Sequence, residues 1–363
     1  MGSLMSKVLI SGEWLWAHYQ EACARALESL GHEVVRFGWY QHFFDKPPGK
    51  DPQFKSTIAR LQNKYLFGPL IDKINRDFFG VAMDTEPDII WLYNDTHIFP
   101  RTISKLRRNL PGVILAQYAN DNPWGANQSE IKWRHFKNSV PLFDINFCYR
   151  VSNTKDLLEA GAKRIQLLRS YYIPEETFPV DRREIEADFT GDIVFVGHYE
   201  NDWRLDLLSE IEKIGYNLKL FGTSWNEPIS RLPNEHPLKK HFPVRSVRGA
   251  EYRKAISGSR IALSFLSKLN EDTYTRRCFE IPAMKTFMMS EYSDDLNSLF
   301  TEGKEAEYFR TKDELVEKVR YYLSHGDEIE KIAQAGFERV QRDGHDVKSR
   351  MRQFMQDIYS EGN

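Results

Sequence analysis

At 363 residues, with 41% hydrophobic and 28% charged residues, the chain is longer than one core usually serves, so two domains are expected. Its formal charge of −2 gives no reason to expect nucleic acid as a partner and leaves room for peripheral membrane contact at most. Cys23, Cys148 and Cys278 are widely separated and lack CxxC spacing, which argues against a disulfide framework or a zinc site and for a reducing cytoplasm.

No apolar run reaches the roughly 18 residues of a membrane span, and the N-terminus lacks the basic start and apolar run of a signal peptide. The MGSL ahead of Met5 reads as a cloning scar. Residues 7–11 (KVLIS) predict a strand, 14–30 a helix closed by Gly31, and 32–37 (HEVVRF) a second strand. Strand, helix, strand at this spacing opens a parallel, doubly wound sheet. The first turn, 11–13, holds one glycine, so the dinucleotide fingerprint is missing and an NAD-dependent oxidoreductase is disfavoured. Trp14 and Trp16 line an acceptor cleft or pack in the core.

A loop at 47–52 precedes a long helical region, 54–83, broken near Gly68 and Pro69. Residues 89–93 are a buried strand. Asn94, Asp95 and His97 follow at its carboxyl end, where open α/β sheets place ligands. His97 is a candidate general base, or a loop histidine with a capping role. A basic helix at 100–109 carries Lys105, Arg107 and Arg108, a solvated face or a contact for anionic lipid. A strand at 113–117 leads to ANDNPWG, where Asp121 is a second candidate base, or an Asx-turn residue. Residues 144–148 are a strand and 151–160 a helix. The Pro-containing segment 164–180 reads as the domain boundary.

Beyond it, 192–197 (DIVFVG) is a strand ending at Gly197, whose missing side chain lets a backbone come close. The amides that follow, with Arg204, suit a diphosphate. Residues 217–222 form another strand, and Gly222 at its end is a candidate base contact. An irregular loop is expected at 227–247, with Lys239, Lys240 and His241 solvated, then a helix at 251–257 and a strand at 261–266.

The stretch 270–289 is the most unusual. Asp272, Thr273 and Thr275 are good helix N-caps, and 274–283 has helical spacing, yet Arg276 and Arg277 occupy the first turn, where the helix dipole disfavours cations. An anion such as a phosphate, held by backbone N–H groups, Thr275 and the arginines, resolves the conflict. Glu280, one turn on, can accept hydrogen bonds from sugar hydroxyls beyond it. Equally, Arg276 and Glu280 form only a surface ion pair. Downstream, strands at 286–290 and 306–309 alternate with helices at 294–300, 312–324, 328–342 and 347–359.

Residues 275–283 (TRRCFEIPA) and the sequence that follows resemble the CgeB-like, spore-maturation-type glycosyltransferases, with their R-x-F-E-x-x-A pattern. FVGHYENDWR and NRDFFGVAMDTEPDIIWLYND resemble two further elements of that family. The resemblance implies an α/β fold of the GT-B type: two Rossmann-like parallel-sheet domains facing an interdomain cleft. Residues 1–170 would form the acceptor-side domain, 171–345 the nucleotide-sugar domain, and 346–363 a helix crossing back to the first. It implies a transferase of the EC 2.4 class acting in polysaccharide biosynthesis, with a UDP-, GDP- or dTDP-sugar as substrate and no permanently bound cofactor. The acceptor would be a hydroxyl of a glycan, lipid-linked molecule or small molecule.

In that class an acidic residue and a glutamate eight positions on contact the donor sugar and ribose, a spacing met here by Asp272 and Glu280. The first acid departs from the commoner Glu, and Lys285 replaces a glycine. No credible carboxylate pair for a metal is present, so none is expected. The alternatives are a nucleotide-sugar epimerase on the same fold and a non-catalytic glycan-binding assembly protein.

Overall fold

The computed structural model describes residues 5–47 and 52–360; the leading MGSL and most of the loop expected at 47–52 lie outside the described residues. The chain divides into two units, Met1–Ser170 with Val347–Asn363, and Tyr171–Asp346.

The first unit is built on strands β1 (Lys7–Gly12), β2 (Glu33–Gly38), β3 (Ile89–Tyr93), β4 (Ile114–Ala119), β5 (Ile145–Cys148) and β6 (Ile165–Leu167). They lie in the order β2-β1-β3-β4-β5-β6, every pair parallel. Helices cover both faces, so β3 (IIWLY) and β5 (INFC) are buried at every position and show no polar alternation. Helix Val347–Tyr359 belongs to this unit: Phe354 stacks 4.3 Å from Trp91, and Gln353 Nε2 donates to the Leu167 carbonyl at 2.8 Å.

The second unit holds β7 (Gly191–Val196), β8 (Leu218–Phe221), β9 (Ser259–Ser264), β10 (Phe287–Glu291) and β11 (Glu307–Phe309). Their order is β11-β10-β9-β7-β8, again all parallel. The fold is therefore two Rossmann-like parallel sheets of the α/β class. In each sheet the chain reverses its direction of build once: at β1/β3 in the first unit and at β7/β9 in the second. Loops leaving a parallel sheet diverge at such a point and open a crevice at the carboxyl ends of the strands.

Several local expectations are corrected. The helix expected at 14–30 begins as a single π-turn, Ala17–Glu21, with non-helical backbone at Tyr19, and is α-helical only over Ala22–Ser29. Trp14 is outside it, with φ of 57° and its Nε1 donating to the Phe37 carbonyl at 2.8 Å. Helices Tyr40–Phe43 and Glu130–Ser139 were not expected; Ser129 caps the second by accepting from the Lys132 amide.

The segment expected to be irregular at 227–247 contains helix Asn226–Ser230 and a 3-10 turn, Pro237–His241, set around buried Leu238. Its basic residues are not merely solvated. Lys239 Nζ donates to the carbonyls of Ile229, Ser230 and Leu232, while buried Glu212 pairs with Lys240 and His241.

Candidate functional site

In the second unit the switch point is lined by the ends of β7 and β9. A Cβ on Gly222 would fall 1.8 Å from the Gly197 carbonyl oxygen, and Gly222 has φ of 146°, so only glycine lets the two strand ends meet. Trp225, fully buried, donates from Nε1 to that same carbonyl at 2.8 Å. Gly222 thus shapes the β7 end, and the tryptophan after it points into the core.

The segment after β9 starts its helix later than expected: it spans Arg277–Ala283, with Arg276 at the N-cap in helical geometry and no side-chain cap. Asp272, Thr273 and Thr275 therefore do other work. Thr273 Oγ1 donates to Asp295 at 2.7 Å, and the Thr275 amide donates to Cys278 Sγ at 3.5 Å. Asp272 lies in the preceding turn, its amide donating to the Ser267 carbonyl at 2.9 Å.

The two neighbouring arginines differ. Arg276 Nε donates to Glu280 Oε1 at 2.6 Å, the i,i+4 pair that the ion-pair alternative anticipated. Tyr252 donates to Glu280 Oε2 at 2.7 Å, and burial, then the charge of Glu280, pushes the tyrosine pKa well up. Glu280 is buried and held from two sides. Arg277 instead lies beside Gly197: a Cβ there would stand 3.1 Å from its Nη2. It is half-buried and has no hydrogen bond or ion pair among the described residues.

Arg204 corrects an expectation. It is 3% exposed, clamps Asp202 from Nε and Nη2 at 2.8 Å each, and donates from Nη1 to the His198 carbonyl at 2.8 Å. All of its forked geometry is spent on the loop after β7, leaving it no face for a phosphate. That loop is braced further. Glu200 accepts from Ser267 at 3.0 Å and pairs with His198 at 2.8 Å. Burial raises the Glu200 pKa, but hydrogen bonds from His198 and Ser267 and the charge of Arg204 outweigh it and hold it at about 2. His198 itself is exposed, directly after Gly197.

In the first unit a cavity of about 230 Å³ opens at the β1/β3 switch point, lined by Glu13, Leu15, Trp16, Tyr19, Gln20, Tyr93, Asn94, Asn120 and Asp121. Asp121 is in it, 3.4 Å from Lys132 Nζ and 3.5 Å from Asn94 Nδ2. Burial raises the pKa of Glu13, the charge of Lys132 lowers it and that of Asp121 raises it again. Trp16 faces the cavity; Trp14 packs against Gly38 instead.

His97 is absent from the cavity. It is 3% exposed, stacks 3.7 Å from Trp39 and lies 2.9 Å from Asn63 Oδ1 through Nε2. Burial, and then nearby positive charge, lowers its pKa to about 3. It is a core residue that braces a turn, out of reach of the cavity, which corrects the expectation of a general base there. Its neighbour Asp95 is buried as well, accepts from Ser11 and the His97 amide, and is raised by burial to about 6.

Sequence reasoning placed both Arg276 and Arg277 near an anion but singled out Arg276, although the R-x-F-E pattern begins at Arg277. It missed Glu13, an acid directly after the first strand, and Tyr252, whose link to Glu280 across 28 positions leaves no local signal. Among the described residues no group of three or more His, Cys, Asp or Glu is placed to hold a metal.

Residues 204–356 match the family described as "Glycosyl transferase-like". Among solved structures, a sucrose-phosphate synthase from Thermosynechococcus elongatus is similar at a TM-score of 0.71 and 13% identity, over 97% of this chain and 98% of that one. A glycosyltransferase from Rickettsia africae is similar at 0.68 and 12% identity, over 99% and 100%. Anabaena HepE in complex with UDP-glucose is similar at 0.64 and 11%, over 97% and 98%. No curated protein matches the chain. The fold is shared with these glycosyltransferase structures, and the family match is confined to residues 204–356.

Proposed function

We propose that this chain is a GT-B glycosyltransferase that moves a sugar from a nucleoside-diphosphate donor to a hydroxyl acceptor. The observation that carries the reading is Arg277: a half-buried guanidinium with no partner among the described residues, set beside Gly197 at the β7/β9 switch point, with buried Glu280 one turn on. A guanidinium left without an anion at a crevice suits a diphosphate, which its planar fork grips through charge-assisted bonds. A carboxylate has about four acceptor positions, so Glu280 can serve Tyr252, Arg276 and a ribose diol together. Asp272 and Thr275 would meet the sugar and the phosphate. Arg276 acts by holding Glu280, and Arg204 and Gly222 by shaping the β7 end.

The first unit, 1–170, takes the acceptor in its cavity, and 171–345 takes the donor, with 346–363 completing the first unit. There Glu13, beside Asp121, accepts the proton of the attacking hydroxyl. The oxygen forms a bond to the anomeric carbon, the bond from that carbon to the diphosphate breaks, and the negative charge stays on the leaving diphosphate. Arg277 stabilises that charge, the electrostatic role a metal plays in other transferases, and the reaction as read here needs no metal. HepE is described with UDP-glucose, which makes UDP the first donor base to try, ahead of GDP and dTDP. A CgeB-like role in polysaccharide assembly inside the cytoplasm fits the motifs and the three buried free cysteines.

The test is a thermal-shift panel with UDP, GDP and dTDP on the wild type, Arg277→Ala and Glu280→Ala, followed by release of free nucleotide from the matching nucleotide sugars. One nucleotide should raise the wild-type Tm and neither variant's. No shift with any nucleotide would end the donor reading. Sugar conversion without nucleotide release would make the chain an epimerase.

A further inference from the structure

Helix Thr57–Tyr65 is built inside out. A surface helix of a globular unit normally turns its apolar stripe to the core. Here the inward side is anchored by polar contacts. Asn63 Oδ1 meets His97 Nε2 at 2.9 Å and Gln62 Oε1 accepts from the Leu70 amide at 2.7 Å, while the exposed Ser56 caps the helix by accepting from the Ala59 amide at 3.0 Å. Arg134 Nη2 donates to the carbonyls of Tyr65 and Leu66 at 2.7 Å each, fixing the last turn.

Of the apolar side chains Ala59 and the C-cap Leu66 are buried, and the other large ones lie outside. Ile58, Leu61 and Tyr65, spaced i, i+3 and i+7 on one face, are 66%, 49% and 45% exposed, and Phe67 just past the helix end is 73% exposed. Scattered exposed apolar residues need no explanation, but three on one helix face, with a fourth exposed two residues past the helix end, mark a contact surface. The segment itself is basic: residues 52–71, between Asp51 and an Asp72 that pairs with Arg101, contain Lys55, Arg60 and Lys64 and no Asp or Glu. All three are exposed, in a chain whose overall charge is slightly negative.

We propose that this face docks on an anionic lipid bilayer, with Ile58, Leu61, Tyr65 and Phe67 entering the headgroup boundary and the three cations facing lipid phosphates. The charge selects this occupant over a second copy of the chain. Two-fold pairing through the same face would set three cations against three. A bilayer also accepts a convex single-helix surface, with aromatic rings at its edge, without needing a groove. Lys55 also donates to the Gln41 carbonyl at 2.7 Å and Lys64 lies 5.4 Å over the Tyr65 ring, contacts that leave both cations exposed; the basic helix Pro100–Asn109 is not an equivalent site, because its apolar Ile103 and Leu106 are buried. The inference is independent of the donor reading, since none of these residues lies in either candidate pocket.

The test is co-sedimentation of the full chain with phosphatidylcholine vesicles, with and without phosphatidylglycerol. The wild type should pellet with the anionic vesicles only, and less as salt rises. Replacing Lys55, Arg60 and Lys64 together by Gln should weaken binding on the order of a hundredfold, about fivefold per cation. Ile58→Ser with Phe67→Ser should weaken it about tenfold or more. These side chains are exposed, and an unchanged nucleotide-induced Tm shift in the variants, or an unchanged melting curve where no nucleotide binds, shows that they are folded. Failure of the wild type to pellet, binding unaffected by the Ile58 and Phe67 substitutions, or a concentration-dependent dimer abolished by them without vesicle binding would each overturn the proposal.

Discussion

The guanidinium of Arg277 lies against Gly197: a Cβ on the glycine would stand 3.1 Å from Nη2 of the arginine and 2.7 Å from Cζ of Phe195. This contact joins the end of β7 to the segment after β9 and leaves the cation without an anion among the described residues. Arg277→Ala should therefore weaken UDP binding by ten- to a hundredfold, the worth of about 1.5–3 kcal/mol for a charge-assisted hydrogen bond. The free protein's Tm should hardly change, because no ion pair is lost. Calorimetric titration and a melt of the same sample check both halves; a lower Tm with an unchanged Kd would make the residue structural.

Arg276, its neighbour, should behave in the opposite way. Its Nε bond to buried Glu280 means that Arg276→Met leaves a carboxylate short of its cation. The expected loss of stability is about 2–3 kcal/mol, below the range for fully buried pairs because the arginine is partly exposed. Urea midpoints measure it. The double substitution with Glu280→Gln should recover most of the loss, since the stranded charge is then gone.

Arg204 is a stronger case of the same kind. It and Asp202 are both almost fully buried and joined by two bonds of 2.8 Å. Arg204→Met should cost about 3–5 kcal/mol. A variant of normal stability that no longer binds nucleotide would return this arginine to the phosphate site.

The architecture was legible because buried parallel strands read as unbroken apolar runs, and 89–93, 100–109 and 347–359 coincide with observed elements. The sequence also pointed to the strand ends, since a parallel sheet has only one edge where loops can gather ligands. Which of the two arginines is left without a partner was not legible. Arg276 and Arg277 have the same chemistry, and their roles depend on rotations about the helix axis and on Tyr252, far away in the chain. His97 misled for a related reason: a histidine after a strand is a base or a core residue according to burial alone, and burial came from Trp39 in a short helix region that the pattern did not show. Lys285 replaces the glycine of the resembled motif yet takes φ of 55°, so the backbone kept the left-handed turn that the residue type concealed.

His97 and Asp95 set opposed pH dependences. The folded pKa of His97, about 3, is below its ordinary 6.5, so its contribution is full above 6.5 and is lost as pH falls toward 3. Asp95 is raised from 3.8 to about 6, so its contribution is full below 3.8 and lost as pH rises through 6. The histidine shift is the larger, so the protein should lose stability on acidification. His97→Gln should leave only the Asp95 dependence, so that urea midpoints rise as pH falls from about 7 to 4, and Asp95→Asn should steepen their fall. Parallel profiles in all three proteins would show that neither group titrates as its surroundings dictate.

Glu13 and Asp121 share one cavity, and the charge of Asp121 helps to raise the Glu13 pKa. Glu13 is raised above its ordinary 4.5, chiefly by burial, while Asp121 lies 3.4 Å from Lys132 Nζ. A base is most effective when its pKa approaches the working pH, which favours Glu13 for the transfer and Asp121 for orienting the hydroxyl. Glu13→Gln should lower kcat by about a hundredfold or more with little change in KM. Asp121→Asn should raise KM and, by removing a charge that lifts the Glu13 pKa, move the acidic limb of the kcat profile to lower pH. A loss of less than tenfold in the first variant, or an acidic limb that stays in place in the second, would transfer the proton-accepting role away from Glu13.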